Sequence, residues 1–103
     1  MIKTINEKIK NYISIAVRAG YIVWGTDNLN GYTHKLYLVV YRSDFGKTIE
    51  KTLNWLDDKI PKIMLDIKNF NEIVMSEKCK IFAVKNRGIA EQIQNLLRGE
   101  DGK

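Results

Sequence analysis

The chain has 103 residues, enough for one compact domain with one real hydrophobic core and not for two. Apolar residues make up 45% and charged residues 28%, a globular composition that excludes an intrinsically disordered chain. Seventeen Lys and Arg against twelve Asp and Glu leave a formal charge of +5, which favours an anionic partner, nucleic acid first, although the same excess also serves plain solubility. The basic residues are spread along the chain, so any basic patch must be assembled by the fold. A lone cysteine, Cys79, excludes an internal disulfide and suits a reducing compartment, and one Cys with one His cannot make a zinc site of the usual kinds. No long apolar run follows Met1, so neither a signal peptide nor a membrane span is expected, and the expected location is the cytoplasm.

Taken in chain order, Ile5, Ile9, Tyr12, Ile13 and Ala16 repeat at helical spacing and predict a first helix with one buried face. Thr4 and Glu7 stand in capping-box order at its start, and Gly20 ends it. Residues 21–24 are β-branched and aromatic and predict a strand; residues 25–34 are polar and predict a turn into at most two helical turns. Residues 36–41 are nearly all apolar, as in a central strand covered on both faces. A loop over 42–46 leads to a helix with Ile49, Leu53 and Leu56 on one side, capped by Ser43 or Asp44. Pro61 marks a break, residues 63–65 a third strand, and Asn69 with Glu72 the opening of a short helix over 69–75. Residues 80–84 form a fourth strand, and Asn86 caps a last helix that buries Ile89, Ile93, Leu96 and Leu97. The alternation predicts an α/β fold, a three-layer α-β-α sandwich, in a single domain over residues 1–98 with a polar, frayed tail over 99–103.

Chemistry-bearing motifs are sparse. Gly46-Lys47-Thr48 follows a strand and opens a helix, but a phosphate-binding loop also needs a glycine five residues earlier, where Tyr41 stands. His34 is isolated beside a turn, and Asp57 and Asp58 sit at a helix end as a solvated pair. Lys78 and Lys80 flank Cys79 and are expected to lower its pKa somewhat, yet no His or Asn partner can be argued for it. The reading is therefore a protein that is not an enzyme and carries no cofactor and no metal.

Residues 16–26, Ala-Val-Arg-Ala-Gly-Tyr-Ile-Val-Trp-Gly-Thr, carry a more specific signal. A helix ending in Ala-x-Arg-Ala-Gly, a short strand and a Gly opening a new helix resemble the kink-turn RNA-binding ribosomal-protein superfamily. The likeness is to the L-seven-Ae and L-thirty-e group and closest to its small bacterial members. The apolar strand over 36–41, Lys47-Thr48, Ile60-Pro61, Ala83-Val84 and residues 88–90 fall in the expected order. The resemblance implies a four-stranded mixed sheet inside the sandwich. It also implies an RNA contact at the helix start formed by Gly25, Thr26, Asp27 and Asn28, with a second contact from the loop Met75, Ser76, Lys78 and Cys79. Many members have Asn and Glu where this chain has Asp27 and Asn28, and a Lys where it has Gly31; Lys35 is the nearest substitute cation. The region between Gly25 and Leu36 is also about four residues, roughly one helical turn, shorter than in the family. The implied partner is RNA, ribosomal or otherwise structured, with the ribosome itself as a wider partner and no membrane. The alternative is a protein-interaction module on the same fold, as a homodimer or with another chain, that uses Tyr21, Trp24, Tyr32 and Tyr37.

Overall fold

A computed structural model describes residues 5–32, 34–74 and 78–98. Thr4 and the tail over 99–103 lie outside the described residues, so the expectations placed on them have no structural counterpart. The elements run α1 (Ile5–Ala19), β1 (Ile22–Trp24), α2 (Gly25–Leu29), β2 (Leu38–Arg42), α3 (Lys47–Trp55), β3 (Lys62–Leu65), α4 (Ile67–Val74), β4 (Ile81–Val84) and α5 (Arg87–Leu97). The four strands form one mixed sheet in the order β1-β4-β2-β3. β4 lies antiparallel to both β1 and β2, and β3 joins β2 in parallel.

Strand alternation divides the side chains between two cores. Leu38, Val40, Phe82 and Val84 point to one face and pack with Ile9 and Ile13 of α1, Phe70 and Ile73 of α4 and Ile93 and Leu96 of α5. Val23, Val39, Ile81 and Ala83 point to the other and pack with Leu29 of α2 and with Ile49 and Leu56 of the α3 segment. The molecule is thus an α-β-α sandwich around a four-stranded mixed sheet, as pattern and resemblance both led one to expect.

Local chemistry explains the ends of the elements. Gly20 adopts φ +77° after the last turn of α1, a conformation strained for any side chain. There its N–H reaches Val17 O at 3.1 Å, and Tyr21 N–H reaches back to Ala16 O at 2.8 Å, the paired bonds of a Schellman stop. Asn86 caps α5 as expected, its Oδ1 accepting from Ile89 N–H at 2.9 Å.

Three expectations are corrected. Ile5 is 45% exposed, because the buried stripe of α1 begins one turn later at Ile9. Neither Ser43 nor Asp44 caps α3: Gly46 is the N-cap, and Asp44 instead receives Arg42 Nε at 2.6 Å and Nη2 at 3.0 Å. α4 begins at Ile67 rather than Asn69, with Asp66 Oδ2 accepting from Asn69 N–H at 3.2 Å. Asn69 serves instead as part of the tie between helices, its Oδ1 accepting from Asn6 Nδ2 of α1 at 2.8 Å.

Candidate nucleic-acid interface

The site grows from the junction of β1 and α2. Gly25 has φ +78°, which lets the chain pass from strand to helix with no intervening loop. The N-cap position is Trp24, which supplies no side-chain acceptor to the first-turn N–H groups. α2 is only five residues long and is anchored by Leu29, which is fully buried. Thr26 is half-buried and Asp27 exposed. Asn28 turns back on its own helix, its Nδ2 donating to Trp24 O at 2.8 Å.

Antiparallel pairing then brings a distant segment to this junction. Trp24 at the end of β1 stands opposite Phe82 near the start of β4, so the residues leading into β4 lie beside those opening α2. A cleft of about 430 Å³ results, lined among others by Gly25, Thr26, Asp27, Asn28, Lys78 and Lys80, with Gly46 and Thr48 from the start of α3 as a further wall. Five of the residues expected at the RNA, Gly25, Thr26, Asp27, Asn28 and Lys78, therefore meet in one place. Cys79 lies between two of the lining lysines. Met75 and Ser76 lie outside the described residues.

Lys35 is not part of this cleft. It sits at the opposite end of the sheet, just before β2, with its ammonium 5.4 Å from the centroid of the Tyr37 ring. Because α2 is so short, the chain has turned back across the sheet before Lys35 is reached, and no path returns it to Gly25.

Conversely, sequence reasoning missed Lys80, Gly46 and Thr48. The signal for Lys80 was its place at the start of the fourth strand, but reading it needed the β1–β4 pairing. Gly46 and Thr48 had been weighed only as a phosphate loop; they are instead the wall contributed by the α3 terminus.

The electrostatics are mixed. Lys78 is exposed, and Lys80 Nζ stands 3.8 Å from Asp44 Oδ2. Asp44 is held below the ordinary carboxylate range by its hydrogen bonds from Arg42, with the Arg42 and Lys80 charges adding to the effect. Arg42 is itself nearly buried, 7% exposed, and also donates from Nη1 to Asn71 Oδ1 at 2.9 Å, so its charge is spent inside the fold. The cationic face of the cleft is thus carried by Lys78 and Lys80 against Asp27.

Cys79 behaves opposite to expectation. Burial pushes its thiol pKa up, outweighing the backbone groups of Ile81 and Gly25 and the Arg42 charge that pull it down. Its Sγ donates to Ile81 O at 3.1 Å. Neither flanking lysine is among the groups acting on it: Lys78 is exposed, and the Lys80 ammonium is turned to Asp44. A thiol so placed stays protonated at neutral pH.

Among the described residues, no three His, Cys, Asp or Glu side chains converge in a way that could hold a metal ion, and no helix is long and apolar enough to cross a membrane. His34 is exposed and meets the Tyr32 ring edge-on at 5.5 Å. Asp57 and Asp58 are exposed beyond the end of α3. Of the aromatics named for the protein-interaction alternative, Trp24 is half-buried with its ring 5.6 Å from that of Phe82, in keeping with the core packing favoured for it, and Tyr21 is 36% exposed.

The fold is similar to that of a solved protein of unknown function from Bacillus halodurans C. The two share a TM-score of 0.68 at 21% identity, over 88% of this chain and 97% of that one, a likeness that bears on the fold alone. No family model and no curated protein matches the chain.

Proposed function

We propose that this protein is an RNA-binding module of the ribosomal-protein type, ribosome-associated and cytoplasmic, that grips a kink-turn or similarly bent RNA rather than catalysing a reaction. One observation carries the reading. Residues 25–28 and Lys78, some fifty positions apart in the chain and assigned to RNA contact by the resemblance, line the same cleft, with Lys80 added beside them.

Such a cleft has the parts that bent RNA needs. The uncapped first turn of α2 offers N–H groups toward phosphate, and Lys78 and Lys80 supply positive charge from the facing segment. An unpaired base has room between the two segments. Asp27 opposes phosphate and accepts hydrogen bonds from base amino groups, which shifts the balance from affinity toward selectivity.

The test is a gel shift with a generic kink-turn RNA against a straight duplex at two salt concentrations. Preference for the kinked RNA, weakened by salt and lost in Lys78→Glu/Lys80→Glu, supports the reading. Equal weak binding to both RNAs, or none, removes it.

A second reading, a protein-interaction module on the same fold, draws on Asn28. Its amide is engaged with Trp24 O instead of being turned outward to a base. A stable complex with another protein or a homodimer, without RNA affinity, would favour that reading.

A further inference from the structure

The opposite end of the sheet carries a second, larger cleft, of about 810 Å³, which the kinked-RNA reading does not use. It opens where β2 begins and where α3 ends. We propose that this cleft binds single-stranded nucleic acid, with a base stacked on Trp55 and the adjoining phosphates met by Lys35, Lys59 and Arg87.

Trp55 is the first observation. It is the last residue of α3, lines the cleft and is 52% exposed, although α3 buries Ile49 and the adjacent Leu56 against the sheet. A large flat ring left in water beside a cleft is a stacking surface, and base–aromatic stacking is worth about 1–3 kcal/mol per base without regard to base identity.

Charge is the second. Lys35, Lys59 and Arg87 line the cleft against one carboxylate, Asp57. That carboxylate is engaged in its own turn, Oδ1 accepting from Lys59 N–H at 2.9 Å. Arg87 shares its Nε with exposed Glu91 at 3.1 Å, which leaves the other guanidinium donors available for phosphate.

The third observation is how Lys35 is held. Its ammonium lies 5.4 Å from the centroid of the Tyr37 ring, and just outside the lining the Lys85 ammonium lies 5.9 Å from the centroid of the lining ring of Tyr32. Rings that restrain lysine chains lower the entropy lost when those chains fix a phosphate. Cations interleaved with aromatic faces match a backbone of phosphates carrying flat bases. A duplex keeps its base faces in its own stack, so the strand must be single.

This inference stands apart from the kinked-RNA reading, since the two clefts occupy opposite ends of the sheet and share no lining residue. The chain has two tryptophans, so Trp24→Phe leaves Trp55 as the sole tryptophan emitter, excited at a wavelength its five tyrosines do not absorb. Titrating that protein with decauridylate, and with decadeoxyuridylate to ask which sugar is taken, should give saturable quenching of Trp55 that weakens with salt. Lys35→Glu/Lys59→Glu should weaken binding by roughly tenfold or more, while Lys78→Glu/Lys80→Glu should leave it unchanged. A parallel measurement needs no change at Trp24: fluorescently labelled oligonucleotide bound to the natural chain should be released by Trp55→Ala, an exposed position. Unquenched Trp55, or binding indifferent to Lys35, Lys59 and Trp55, overturns the proposal. So does burial of Trp55 that rises with protein concentration and resists competition by oligonucleotide, which would make this end a protein interface.

Discussion

The two faces of the sheet are dressed very differently. Helices of 15, 8 and 11 residues cover one, while helices of 5 and 9 residues cover the other. The thick side buries Phe70 and Phe82 completely; among the described residues the thin side's rings, Tyr32, Tyr41 and Phe45, are only partly buried, and Met64 of β3 is left 54% exposed. Both clefts open at the ends of the thin layer, where short helices start and stop close to the sheet. On the function proposed above, stability and recognition fall on opposite sides of one scaffold, and the thin layer can vary without emptying the main core.

Substitutions on each side put this contrast to the test. Phe82→Ala should produce the largest loss, about 3–5 kcal/mol, because it empties the thick-side core between Phe70 and Trp24. Leu29→Ala should cost about 2–3 kcal/mol, since a five-residue helix can settle partly into the space. Urea titrations of the two variants decide the matter: equal losses would mean that the faces are energetically alike. Asn86→Ala, which removes the α5 cap, should cost about 1 kcal/mol in the same titrations.

Smaller still is Thr52→Val on the thin side. The buried Thr52 hydroxyl donates toward Asn30 Oδ1 at 2.7 Å, with Thr48 O at 3.1 Å as the alternative acceptor. Asn30 is exposed and can turn to water, so the loss should stay under about 1 kcal/mol in thermal melts. A loss as large as that of Leu29→Ala would show that this hydroxyl holds α2 in place.

The weakest expected effect is a pH dependence. Asp44 has a lowered pKa in the folded state, first through the Arg42 hydrogen bond, so its contribution is present above the ordinary carboxylate pKa. It is lost as pH falls through the lowered value, below about pH 4. Arg42→Met should flatten that part of the acid stability profile; an unchanged profile would assign acid sensitivity elsewhere, with Asp66, also lowered, the next group to examine.

Which parts were legible follows from the range of the forces involved. The long amphipathic helices, Gly20 and the Asn86 cap rest on neighbours within a turn, and they read correctly. The caps of α3 and α4 did not, because competing partners decided them. Asp44 is drawn to a buried arginine two residues away, and Asp66 is as good a cap as Asn69 but stands where the chain leaves β3. Nothing local announces that Arg42 will be buried; only the placement of α4, with Asn71, makes it so. At the candidate site, the strand-to-helix junction at Gly25 was visible and the meeting with Lys78 came from the resemblance. Lys80 needed strand register, and Lys35 was misplaced because sequence proximity suggested a closeness that the reversal after α2 removes. Cys79 shows the same error in miniature: charged neighbours on a chain need not be electrostatic neighbours when the side chains part company.

The sheet order has a consequence for how the chain can assemble as it is made. The last strand in sequence, β4, occupies the interior of the sheet between β1 and β2. A chain growing from its N-terminus can pair β2 with β3 once Leu65 has emerged, but β1 has no strand partner until residues 81–84 appear. Until then the inner edge of β2 is open and Val23 has no sheet neighbour. The part of the chain from Ile81 onward, little more than a fifth of it, therefore acts as a keystone, and a truncation just before Ile81 should leave a soft intermediate, prone to pairing with its own kind, rather than a smaller native protein.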